Sequence, residues 1–324
     1  MCGIKVVGVA GKISENGSFK KISIPDIKTS LSRFTSNISP VISHIQRFKS
    51  HIHHFIYHSL RLPSHVSRIT SKCITFYNLQ DYQKAIEYGK LAIQDNANNI
   101  KAYIYLAKAY YHTGELRLAL ESLKKAENLA SSEEEFLDVY REMGRVLRRM
   151  MKLDDAYMYL VKALNLAKEI YDIEMQGVIL NDIGSVYYDK DEIDKAFKHY
   201  LDSLHLTFDE RIRADIYNNI ALIYCKKDKC KKAVAYLQKA IEIAEKHGDF
   251  HSLSIYKLNL GYAYTKLKNY KLAMKYLAEG LDGVEKLSDK YSLSMAYKYI
   301  AEFHKDRGEE ELAREYYMKV MGEE

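Results

Sequence analysis

Tryptophan is absent from the 324 residues, and the three prolines, Pro25, Pro40 and Pro63, all fall before residue 64. Any sequence motif that leans on either residue is therefore incomplete here. Cysteine is almost as scarce, with Cys2, Cys73, Cys225 and Cys230 forming no CxxC pair. That excludes the disulfide framework of a small secreted domain and fits a reduced, cytoplasmic setting. No stretch reaches the eighteen or so apolar residues of a membrane span, and the N-terminus lacks an apolar core followed by a cleavage site. Catalytic signatures are missing too: there is no phosphate-cradling glycine loop, no HExxH and no GxSxG, so the expectation is a non-enzyme that needs no cofactor. Acidic residues are absent between Asp26 and Asp81.

What is present is repetition. Residues 214–249, ADIYNNIALIYCKKDKCKKAVAYLQKAIEIAEKHGD, read as two amphipathic helices joined at Lys227 and Asp228. Tyr217, Ile220, Ala221 and Tyr224 make one apolar stripe, and Ala233, Leu237, Ala240 and Ile241 the other, at three-and-four spacing. Small residues at Ala221, Ala233 and Ala240 let the two backbones approach, and Tyr224 fills the space beside them. The same small/aromatic/small/small spacing recurs at Cys73–Phe76–Ala85–Ala92, Ala107–Tyr110–Ala119–Ala126, Gly144–Leu147–Ala156–Ala163, Gly184–Tyr187–Ala196–Ser203, Gly261–Tyr264–Ala273–Gly280 and Ala301–His304–Ala313–Val320.

This pattern resembles the tetratricopeptide repeat (TPR), without that family's tryptophan and closing proline. The first small residues of successive copies stand 34 to 40 apart, and the extra residues lengthen helices rather than loops. Long units of this kind, with YNNIA or LNDIG openings, are similar to those of kinesin light chains, LGN-type polarity scaffolds and bacterial Rap and PlcR peptide sensors. The resemblance implies an all-α, right-handed α-solenoid of about seven helix pairs over residues 66–324, with a binding groove. A stacked array grows in one dimension and needs no second core despite the chain length.

Ahead of the repeats, residues 1–25 alternate around an Asn16–Gly17 turn and are expected to form a β-hairpin. The opening MCGI resembles the start of class II glutamine amidotransferases, but repeats beginning near residue 66 leave no room for their β-sandwich. From Ile27 to Phe55 apolar residues recur at fours and threes, giving basic amphipathic helices over 26–38 and 40–61. Residues 1–72 carry eleven Lys or Arg against Glu15 and Asp26, a net of +9, so the total of +6 leaves −3 on the remainder. The repeats are thus not a basic nucleic-acid surface. The basic segment is expected to cover the first repeat's edge, the rival reading being a membrane- or nucleic-acid-associated adaptor anchored by these helices, with peripheral membrane contact through residues 27–62. His44, His51, His54, His58 and His65 border that stripe at spacings that suit Zn²⁺ or Ni²⁺, yet no carboxylate or cysteine accompanies them, and border histidines ordinarily meet water.

Ser131, Ser132 and Glu135 form a capping box ahead of the next helix. That helix carries Arg141, Arg145 and Arg148 on one face, with Arg149 beside them. By the family resemblance, first helices line the concave groove. Asn181, Asn218 and Asn219 then stand at matching depth in the next two units, and Lys101 and Lys108 in the unit before. Arginine grips carboxylates with two prongs, and asparagine amides pair with both groups of a peptide backbone. The expected function is a peptide-binding scaffold for an extended, acidic segment, the alternative for this stripe being a solvated face paired to Asp138 and Glu142. The apolar last helix, EELAREYYMKVM, leaves self-association open.

Overall fold

The computed structural model describes residues 65–287 and 290–322. Among them are fourteen α-helices in seven pairs: α1 (His65–Asn78) with α2 (Tyr82–Asp95), α3 (Ile100–Thr113) with α4 (Leu116–Leu129), α5 (Glu133–Arg149) with α6 (Leu153–Glu169), α7 (Ile173–Asp189) with α8 (Ile193–Leu206), α9 (Glu210–Lys226) with α10 (Cys230–His247), α11 (Phe250–Lys266) with α12 (Tyr270–Leu287), and α13 (Lys290–Asp306) with α14 (Glu310–Met321). The expected β-hairpin, the helices over 26–38 and 40–61, and His44, His51, His54 and His58 lie outside the described residues; His65 opens α1.

Small residues set the pairing. A Cβ added at Gly144 would stand 2.5 Å from Leu160 Cγ, at Gly184 2.6 Å from the Tyr200 ring, and at Gly261 2.7 Å from Leu277 Cγ. In each pair a bulky residue of the second helix fills the space that the glycine leaves. Ala107, Ala156, Ala196, Ala221, Ala233 and Ala240 are buried to within 1% of complete.

Each pair then turns through a residue of positive φ: Gln80, Gly114, Met151, Asp191, Asp228, Lys268 and Gly308. A left-handed residue after the helix lets the last amide bond back into it, as when Lys229 N–H donates to the Tyr224 carbonyl at 2.8 Å. Helix starts are fixed by Asp81, Asn99, Ser132, Asp172, Asp209 and Asp249, whose side chains accept from amides of the first turn. At Ser132 the reciprocal capping box is present, with Glu135 reaching back to the cap backbone.

Every first helix from α1 to α11 touches the first helix of the next pair, whereas second helices touch only first helices. The first helices therefore make the inner wall of the coil. The row curves until α13 meets α3, four pairs of the array intervening. At that closure the Arg149 guanidinium sits 4.6 Å from the Tyr111 ring centroid and 4.1 Å from that of Tyr291, and His112 lies edge-on to His251 at 5.6 Å. No helix among the described residues is long and apolar enough to cross a membrane.

Candidate functional site: the inner cleft

Counting from the small residue of each first helix places the side chains in rows along the wall. Two positions before it stand Tyr105, Glu142, Asp182, Asn219, Asn259 and Tyr299; one position after it stand Lys108, Arg145, Ser185, Leu222, Tyr262 and Glu302. Most of these groups border one cleft of about 910 Å³ inside the coil, reaching from Tyr111 on α3 to Glu302 on α13.

Arg141, Arg145, Arg148, Asn181, Asn218 and Asn219 all line this cleft, and Lys101 and Lys108 do not. Lys108 instead approaches the Glu142 carboxylate at 3.6 Å and the Tyr105 ring at 4.9 Å. The arginines are already partnered within the chain. Arg141 Nε donates to Asp182 Oδ2 at 2.8 Å, Arg145 Nη1 to Glu142 Oε2 at 2.9 Å, and Arg148 Nη1 to Asp189 Oδ2 at 3.0 Å. Two of these pairs cross from α5 to α7 and remain about a quarter exposed or less, at 22% and 16% for Arg141 and Asp182 and 26% and 25% for Arg148 and Asp189. The third is anchored in the core, since the Glu142 side chain is only 4% exposed.

Burial of Glu142 works against its ionised form, but Arg145, Lys108 and Arg141 around it prevail and hold its carboxyl down at about 2. The same guanidinium field acts on Tyr111, whose burial would raise its hydroxyl but which Arg145, Arg148 and Arg149 bring below the ordinary phenol range. Asp215 behaves in the opposite sense. Desolvation by the surrounding walls pushes its carboxyl up to about 6 although the residue as a whole is exposed, and the Tyr256 hydroxyl, donating at 2.6 Å, offsets only part of the rise.

Across the middle of the wall runs a chain of side-chain hydrogen bonds spanning four first helices. The Tyr299 hydroxyl donates to Asn259 Oδ1 at 3.0 Å; Asn259 Nδ2 donates to Asn218 Oδ1 at 2.6 Å; Asn218 Nδ2 donates to its neighbour Asn219 Oδ1 at 3.3 Å; and Asn219 Nδ2 donates to Asn181 Oδ1 at 2.9 Å. All donors point the same way along the chain, so each bond polarises the next. An amide has two N–H groups and two acceptor positions on oxygen. The chain uses one of each on Asn218, Asn219 and Asn259, and none of the Asn181 N–H groups; Asn218 and Asn259 are buried, so capacity for a bound backbone remains at the more open Asn181 and Asn219.

Asn259 and Tyr299 are the members of this chain that the sequence expectations omit. The signal for them is periodic, because Asn219, Asn259 and Tyr299 recur every 40 residues, two positions before Ala221, Gly261 and Ala301. Asp182 stands in the same row, two positions before Gly184, whereas the counter-ion Asp189 carries no such signal.

The family model of the tetratricopeptide repeat matches residues 135–206 and 212–286. No curated protein matches the sequence. Among solved structures, the Rap conjugation gene regulator of the plasmid pLS20, in complex with the Phr* peptide, is similar with a TM-score of 0.67 at 16% identity, covering 80% of this chain and 73% of that one. The apo form of RapI is similar with a TM-score of 0.61 at 14% identity, covering 80% of this chain and 97% of that one. A Rap protein complexed with Competence and Sporulation Factor gives 0.60 at 16% identity, with 75% and 83% covered. At such identities the likeness is one of fold. Residues 135–206 and 212–286 thus match the tetratricopeptide repeat, and the coil of helix pairs that contains them has the fold of the Rap structures.

Proposed function

We propose that this protein is a non-catalytic scaffold that holds an extended peptide in its inner cleft, gripping the peptide backbone through the amide chain and a ligand carboxylate through the arginines of α5. The observation that carries this reading is the Tyr299–Asn259–Asn218–Asn219–Asn181 chain on the wall of a cleft of about 910 Å³. Side chains locked to one another have little rotamer freedom left to lose on binding, so the wall presents donors and acceptors already oriented. Two of the fold's solved neighbours are complexes, one with the Phr* peptide and one with Competence and Sporulation Factor, which is in keeping with this use of the fold.

The arginine pairs refine the expected preference for acid. Glu142 keeps Arg145 for the core, whereas the Arg141–Asp182 and Arg148–Asp189 pairs are partly exposed and can exchange their carboxylate for one on the ligand. Exchange yields less than a contact to an unpaired arginine, so the gain from an Asp, Glu or C-terminal carboxylate is about 1 kcal/mol rather than several.

A fluorescence-anisotropy screen of labelled heptapeptides against the full chain tests the reading. Asn219→Ala is expected to weaken acidic and neutral binders alike by about threefold to tenfold. Arg148→Ala is expected to weaken only the acidic ones and to flatten their salt dependence. Binders that lose nothing in Asn219→Ala, or a screen in which no peptide binds, would overturn it.

A further inference from the structure

We propose that the end of the cleft between α7, α11 and α13 is a cation subsite, a box walled by Tyr188, Tyr262 and Tyr299 and closed by the Glu302 carboxylate, which takes a lysine or arginine side chain of the bound peptide. The identity of the ligand as a peptide rests on the function proposed above; the chemistry of the box stands on its own residues. All four groups line the same cleft, and the Tyr262 and Tyr299 rings stack at 4.7 Å between centroids with 18° between planes. Burial raises the Tyr188 hydroxyl to about 12 and lifts those of Tyr262 and Tyr299 well above the phenol range, with the nearby Glu302 charge adding to all three. One carboxylate is thus within electrostatic reach of every ring.

Charge bookkeeping gives the sign of the ligand. At the α5–α7 end Arg141, Arg145 and Arg148 each have a carboxylate, but Glu302 makes no ion pair among the described residues, even with Lys298 one turn before it on α13. In the row that contains it the cations stand at Lys108 and Arg145, on α3 and α5, and the carboxylate without an ion pair at Glu302, on α13. Aromatic faces are electron-rich and hold ammonium or guanidinium groups best where water is partly excluded. Cations of the chain itself are drawn to the rim: Lys226 Nζ stands 4.8 Å from the Tyr188 centroid and Lys266 Nζ 5.4 Å from that of Tyr262. Lys226 is spent on Asp191 at 2.5 Å, which leaves Glu302 and the Tyr299 ring without a cation. A ligand with a basic side chain here and a carboxylate toward Arg148 would meet both groups and take one direction in the cleft.

The test uses N-acetyl-arginine amide as the probe and N-acetyl-citrulline amide as its neutral isostere, titrated into the full chain and read by ligand-observed NMR. The arginine compound is expected to bind in about the millimolar range and the citrulline compound at least fivefold or so more weakly. Glu302→Gln should cost about tenfold for the arginine compound alone. Tyr262→Phe should retain binding, and Tyr262→Leu should lose it; if the leucine variant fails to melt cooperatively, the glutamine variant decides. Equal binding of the two amides, or a Glu302→Gln variant that binds as the parent does, would overturn the box. Neutral peptides that bind while the arginine amide does not would sink the box and leave the peptide groove standing; the reverse result would sink the groove and leave the box.

Discussion

Two carboxylates of the inner wall pull the protein's pH response in opposite directions. Glu142 has a folded pKa of about 2, below its ordinary 4.5, so the stability it supplies is present above about pH 4.5 and is lost as pH falls toward 2. Asp215, raised to about 6 from 3.8, instead binds its proton more readily when folded, so its ionisation destabilises and acidification from neutral toward pH 4 relieves that. Together they predict that the melting temperature rises slightly from pH 7 to about pH 5 and then falls steeply. Glu142→Gln should remove most of the steep limb and cost on the order of 3 kcal/mol at neutral pH, because it strips Arg145 and Lys108 of their buried counter-charge. A parent and variant with parallel melting curves from pH 7 to pH 3 would contradict this. Met151 offers the converse case. It holds φ at 59° in the α5–α6 turn with its side chain 67% exposed. A residue with a Cβ is strained by about 1 kcal/mol in that region, so Met151→Gly is expected to raise the melting temperature by about 2 °C by scanning calorimetry.

At the scale of the helix pair, the sequence is most informative where sterics leave one answer. The small residues at 144, 184 and 261 could be read from spacing alone, and each receives a bulky side chain sixteen positions later. Gly144→Ala would gain helix propensity yet drive a methyl group to 2.5 Å from Leu160, so it is expected to destabilise by about 1–3 kcal/mol in urea unfolding. Stabilisation by that substitution would mean that the pair is looser than its geometry. The Ser132 capping box was equally legible, since both partners lie within four residues. The partners of the arginines were not. Asp182 and Asp189 sit 41 residues beyond Arg141 and Arg148 on a different helix. Because the units vary in length, which side chains of α5 and α7 come level depends on how the pairs stack, not on local pattern. Glu142 was visible beside the arginines as a local pair, but its burial comes from neighbouring helices and could not be seen from its own.

For the molecule as a whole, repeat number and helix content follow from periodicity, while closure does not. The meeting of α13 with α3 arises from a small rotation added at each pair, and its sum is not written in any one repeat. Interfaces between neighbours predict that residues 66–324 melt cooperatively as a strongly helical protein without the residues before them. Circular dichroism of that truncation checks this, and a chain without a transition would contradict it. The cleft is a product of the same curvature, because it draws its lining from α3 through α13. Its occupancy is therefore the central claim, and position-specific cross-linking tests it most directly. With a photoreactive phenylalanine analogue placed at Leu222, inside the cleft beside the amide chain, or at Met274, 58% exposed on α12, the full chain is irradiated with a biotinylated random heptapeptide library. The account predicts adducts at position 222 that an excess of unlabelled peptide abolishes, and none that compete at position 274. Competable adducts at 274, or none at 222, would show that peptides bind elsewhere on this coil or not at all.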